Sequence, residues 1–308
     1  MVGLLSPLLH RGYNFVWYST LPFASIKPNP LLDYELKRHG FGYATISGQI
    51  PSGLKTFISQ IGFVFPACLS LAAMCCLCAS APISRTLNTS PLITVAFYLA
   101  VGYSIFVNLY YVLLPIHSVG SQINSPEWDT VRVTMLSSDD IVLTKYTIGL
   151  LRVWKATAIE TGIRTFVAIP LLLATVFISL YTRDLRAVPL TWLSFAFPVF
   201  VFVLEPFWRT RAVAALGIAI AAQFTNATYA ILAAFGAVVA FLITLAAILI
   251  GVLRVVDQLA YRTKILYDNR ALVQLVVFLG GTFVLYAFYK LIAIVSLRRA
   301  SALIARSE

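Results

Sequence analysis

A chain of 308 residues with 60% hydrophobic and only 11% charged side chains, and a mean hydropathy of +0.87, has too little polar surface to cover its apolar residues as a soluble globule. That composition places it in a lipid bilayer. The net charge of +11, from 23 Lys and Arg against 12 Asp and Glu, is spread along the stretches between apolar blocks, which suits anionic headgroups and loops retained in the cytoplasm and speaks against nucleic acid as a partner.

Residues 1–56 are too polar and proline-rich to cross a bilayer, and they are read as a cytoplasmic N-terminal segment ahead of a transmembrane domain over 57–308. No charged stretch there feeds a continuous apolar run, so no cleaved signal peptide is expected. Asn29 to Arg38 has the pattern of a short amphipathic helix, with Asn29 as cap and Pro30 in the first turn. Leu31, Leu32, Leu36 and Tyr34 would then face lipid, while Asp33, Lys37 and Arg38 face water and Glu35, Lys37 and Arg38 mark the membrane interface. A solvated helix in a loose tail has the same spacing, and the sequence leaves both open.

Apolar blocks follow at Phe57 to Cys78, Leu92 to Pro115, Thr165 to Thr182, Val188 to Glu205, Ala212 to Leu253 and Ala271 to Ser296. They are apolar all round rather than alternating, and the simpler ones approach the ~20 residues a helix needs to cross. The expected fold is therefore an all-α polytopic bundle of about six transmembrane helices, with an N-terminal interfacial helix and an intracellular coupling helix. Cys68, Cys75, Cys76 and Cys78 fall in the first block; the Cys-x-x-Cys spacing lacks a second ligand pair, so small side chains packing between helices explain them and no metal is expected.

Between the second and third blocks lies a polar island, Ser125 to Lys145, inside a segment 117–164 that the cation distribution places in the cytoplasm. Ser137 and Ser138 suit a helix cap, with Asp139 and Asp140 in the first turn at the positive end of the helix dipole. Beyond them Lys145, Arg152 and Lys155 share one side, opposite Leu143, Leu150, Trp154 and Ala158, as on a helix lying along the inner membrane surface. Glu127, Trp128, Asp129 and Thr130 have no lipid-facing use, and a contact with a soluble protein is the functional alternative to a solvated loop.

After the third block, Glu205-Pro206-Phe207-Trp208-Arg209 interrupts the apolar pattern. Glu205 and Arg209, one turn apart, can pair within a helix. They fit either a polar element in a translocation path or an interfacial bend whose charges snorkel into headgroups; the bend is favoured. Ala212 to Leu253 is long for one crossing and tight for two, with a weak break near Thr225 and Asn226.

The island resembles the coupling region of ABC-2-type transporter permeases. Trp128-Asp129-Thr130 matches its start, Thr134 and Leu136-Ser137 its middle, and Asp140-Ile141-Val142 with Lys145 its end. Asn29 to Arg38 is similar to the interfacial helix that precedes the first span in that family. The chain departs from the pattern at Gln122 to Pro126, Arg132 and Met135. The resemblance implies a permease of six spans, both termini cytoplasmic, with Ala212 to Leu253 crossing once. It implies pairing with a second permease copy or paralogue in a bacterial inner membrane, and service by a cytoplasmic ABC ATPase subunit, most often for export. Glu127, Trp128, Asp129, Thr130, Leu136, Ser137, Asp140 and Lys145 would then couple to the ATPase, with Arg152 and Lys155 on the lipid.

No Walker-type phosphate loop, His-Glu-x-x-His or Gly-x-Ser-x-Gly occurs, so no ATP hydrolysis, catalysis or cofactor is expected of this chain. The alternative is a non-transporting membrane subunit that holds a larger complex together.

Overall fold

The computed structural model describes residues 30–38, 60–80, 91–123, 136–181, 188–224, 226–262 and 270–306. Among them the chain is helical, with no strand. A short helix, α1 (Pro30–Arg38), precedes six long ones: α2 (Phe65–Ser80, entered through a π turn at Gln60–Val64), α3 (Pro91–Ile123), α4 (Ser138–Tyr181), α5 (Val188–Gln223), α6 (Ala227–Arg262) and α7 (Arg270–Arg306). Four stretches are long and apolar enough to cross a membrane: Tyr98–Ile116, Ser138–Leu173, Ala227–Val255 and Leu272–Arg306. The apolar stretch at Gln60–Ala72 is shorter.

Successive long helices run in alternating directions. Ser104 meets Glu160 while Tyr111 meets Thr157, so α3 and α4 are antiparallel. Arg164 reaches Phe202 while Thr157 faces Thr210, so α4 and α5 are antiparallel too. Tyr289 and Ser301 of α7 meet Glu205 and Asp139, which sets α7 against the direction of α4 and along α5.

At the centre is α5. Ala212, Val213, Ala214, Ala215, Ile218 and Ala219 are all buried, so this half of the helix is enclosed on every side. Between helices in lipid there is little hydrophobic driving force, and close van der Waals approach of small residues takes its place. The alanines of α5 supply that approach. So does Gly162 of α4, where an added Cβ would lie 2.6 Å from the Ile61 carbonyl oxygen of the π turn. The turn is held there by Thr165, whose hydroxyl donates to the Gly62 carbonyl at 3.0 Å. On α6 only a narrow stripe is buried, Ala230, Ala234, Val238 and Phe241, at the three- and four-residue spacing of one helix face. The rest of α6 and most of α7 is exposed apolar surface, suited to lipid.

Several expectations change. Ala212 to Leu253 is not one span: α5 runs unbroken through Pro198 and Pro206 to Gln223, and α6 starts at Ala227. Asn226 starts α6 by accepting the Thr228 N–H on its side chain at 2.9 Å, a cap that a weak break in hydropathy only hinted at. The polar run from Arg254 continues α6 to Arg262. Likewise the basic helix of the island and the third block are one helix of 44 residues. At ~1.5 Å per residue α4 is about 66 Å long, twice the ~30 Å of a hydrocarbon core, and with Asp139, Asp140, Lys145, Arg152 and Lys155 all in its first half, its Ser138 end is the one suited to project beyond an apolar layer.

Candidate functional site

Two places concentrate polar chemistry. The first is the projecting end of α4. Ser137 caps it: its Oγ accepts the Asp140 N–H at 3.2 Å and lies 2.6 Å from the Asp140 carboxylate, and the first helical bond runs from the Ile141 N–H to the Ser137 carbonyl at 3.1 Å. This is the cap expected from the sequence. Asp139, beside it, accepts a hydrogen bond from Ser301 of α7.

Lys145 differs from expectation. It is buried rather than turned to headgroups, and its ammonium donates to the carboxylate of Glu35 on α1, 110 positions away in sequence. Glu35 is accordingly no surface group, and Leu31, Leu32 and Leu36 are covered by protein, not lipid. The reason is geometric: α1 lies on α4, so its apolar face has a protein surface to bury against and the buried Glu35 carboxylate finds the buried Lys145. Arg38 and Lys155 are exposed as expected, Arg152 is half-buried, and Leu136 is partly buried against the core. Glu127, Trp128, Asp129 and Thr130 lie outside the described residues, as do Asn29 and the side chain of Lys37.

The second place is inside the bundle. Glu160 and Arg164 stand one turn apart on α4, Glu205 and Arg209 one turn apart on α5, and the four form a closed ring of alternating charge. Arg164 is 2.9 Å from Glu160 and 2.7 Å from Glu205; Arg209 is 2.9 Å from Glu205 and also pairs with Glu160. Glu160 and Arg209 are fully enclosed. From α3, Ser104 accepts from Arg164 at 3.0 Å and lies 2.6 Å from Glu160, and the Asn108 side-chain oxygen accepts from Arg209. Arg164 also donates to the Phe202 carbonyl at 2.8 Å and sits over the Phe202 ring. From α7, Tyr289 donates its hydroxyl to Glu205. Tyr289 stacks on Phe241, the midpoint of the apolar stretch Ala227–Val255, which sets the ring deep within the apolar layer.

Glu205 and Arg209 therefore do not form an interfacial bend. Their charges turn into the bundle, because a second neutral pair on α4 and three polar groups from α3 and α7 receive them there. Burying a charge in lipid costs several kcal/mol, about 2.5–3.5 even on the lenient insertion scale, so intramembrane charges persist where they pair and act. Pairing one turn apart lets each helix carry its two ring residues as a neutral pair. Tyr289→Phe should remove one of several hydrogen bonds to Glu205 and lower stability by about 1–2 kcal/mol, measured as a shift in the detergent melting curve.

Comparison with known protein families, curated proteins and solved structures finds no match.

Proposed function

We propose that the chain is the membrane-spanning permease subunit of an ATP-driven ABC-2-type transporter. In this reading α2 to α7 all cross a bacterial inner membrane, a second permease copy pairs with this one, and the usual direction is export. The observation that carries it is the buried pair between Glu35 and Lys145. These residues belong to the two separate segments that resemble the permease family, and they meet at the projecting end of α4. A coupling element has to be joined mechanically to the helices it moves, and α4 runs without a break from that end to the ion ring. The projecting end would face the cytoplasm, with Arg298, Arg299 and Arg306 of α7 beside it as inward-side cations.

The test is purification of the full chain in mild detergent. A Walker-motif ATPase should accompany it, and Lys145→Met should release that ATPase and lower stability by about 2 kcal/mol by removing the ammonium that pairs with the buried Glu35 carboxylate. Exchanging the charges, Glu35→Lys with Lys145→Glu, should restore binding. A chain that purifies with no ATPase, alongside the subunits of another enzyme, would instead support a non-transporting structural subunit. The departures at Gln122 to Pro126 and Met135 favour that second reading.

A further inference from the structure

The ring divides its charges between helices in a particular way. Glu160 with Arg164 is a self-neutral pair within α4, Glu205 with Arg209 is another within α5, and the crosswise pairs, Arg164 with Glu205 and Arg209 with Glu160, bridge the two. Parting α4 from α5 therefore breaks two ion pairs without stranding a net charge on either helix. A simple bridge, one charge per helix, would leave an isolated ion in the apolar layer on each side, and that cost would hold the seam shut.

The ring also has polar capacity that the closed state does not use. Glu160 Oε2, Arg164 Nε and Asn108 Nδ2 have no hydrogen-bond partner, although Glu160 and Asn108 are fully buried. Groups of this kind are ordinarily satisfied, so these three atoms can still take a polar group that enters the ring. Next to the ring the seam stays polar: Thr157 of α4 and Thr210 of α5 face each other at 3.3 Å, with the Tyr111 hydroxyl 2.6 Å from Thr157.

We infer that the α4–α5 seam opens, and that the parted ring binds a zwitterionic group, an ammonium joined to a phosphate or carboxylate. The anionic end takes the arginine positions released by the crosswise pairs, and the cationic end takes the glutamates. Neutrality sets the class. A ligand of net charge would leave that charge uncompensated beside a net-neutral ring in an apolar layer, whereas a zwitterion replaces both broken pairs and adds none. Passage of such a ligand across the membrane rests on the permease reading; the opening of the seam and the binding do not.

The experiment uses the full chain in vesicles with Cys68, Cys75, Cys76 and Cys78 replaced by Ala and a single probe cysteine, Thr157→Cys. Thr210→Cys, on the other wall of the seam, serves as a second probe should the first not fold. Water-soluble methanethiosulfonates carrying a trimethylammonium or a sulfonate should both modify the probe. Glycerophosphocholine, whose phosphodiester and trimethylammonium cancel, should slow both reactions about tenfold, while tetramethylammonium or inorganic phosphate at equal concentration should not. No modification by either reagent at either probe would mean that the seam stays closed and would overturn the inference. Protection by an ion of one sign as strong as by glycerophosphocholine would overturn the ligand class. Because the labelling needs no ATPase, a chain that labels as expected but purifies without one would lose the permease reading alone. An ATPase-bound chain that never labels would lose only the opening seam.

Discussion

Arg209→Met is expected to destabilise the protein by about 3–5 kcal/mol, the range for breaking a buried ion pair from one side. Arg209 is among the largest fully buried side chains, and its guanidinium serves Glu160, Glu205, the Asn108 side chain and the Ser104 carbonyl. Without it Glu160 and Glu205 share Arg164 alone, and the interior carries one uncompensated negative charge. The loss therefore comes less from the vanished contacts than from what they leave behind. Adding Glu160→Gln to Arg209→Met restores neutrality, with Arg164 paired to Glu205, and should recover more than half of the loss. Melting in detergent, followed by monodisperse elution on size exclusion, reads both steps. If the single variant melted like the parent chain, the ring could not be a desolvated charge cluster. If the double variant were worse than the single, hydrogen-bond geometry rather than net charge would govern the site.

How far the sequence reveals this arrangement depends on the range of the signal. The all-helical fold, the Ser137 cap and the pairing of Glu205 with Arg209 are local and can be read from neighbours three or four positions apart. The meeting of the two Glu-x-x-x-Arg pairs is not local. Glu160 and Arg164 sit at the end of a run containing Lys145, Arg152 and Lys155, so periodicity assigns them to a surface helix, and nothing within α4 tells that its polar side turns inward against α3 and α5. The same holds for Leu31, Leu32 and Leu36: an amphipathic face reads alike whether it buries against lipid or against another helix. The sequence does carry one long-range signal. Identical, self-neutral i, i+4 pairs on consecutive apolar helices of opposite direction can satisfy each other crosswise, a pattern that lone surface pairs have no reason to repeat. The course of α5 through Pro206 was hidden for a different reason. A proline ordinarily ends or kinks a helix, but here the Phe202 carbonyl, which Pro206 leaves without its helical donor, accepts from Arg164 at 2.8 Å, and neighbouring helices enclose that turn.

Gly217→Leu should cost about 3 kcal/mol, the upper range for overpacking a rigid interior. Gly217 lies where α5 crosses α3, and even a Cβ there would stand 2.8 Å from the Val112 carbonyl oxygen and 3.0 Å from its Cα. Both are backbone atoms of a helix that is itself buried at Val107, Tyr111 and Val112, so no rotamer change relieves the clash and the helices must separate. Alanine tests the balance more finely. It gains ~1 kcal/mol of helix propensity over glycine, but its methyl meets the same backbone, so Gly217→Ala should still be destabilising. Gly236 and Gly280 provide the internal standard: nothing lies within 4 Å of a Cβ at either, and Ala there should be neutral or stabilise by up to ~1 kcal/mol. The separation also carries upward along the same two helices to Asn108 and Arg209, which hold α3 to the ring. Gly217→Leu should therefore weaken that contact as well, and combining it with Asn108→Ala should destabilise less than the sum of the two single changes. Strict additivity in the melting shifts would show that the crossing and the ring are independent.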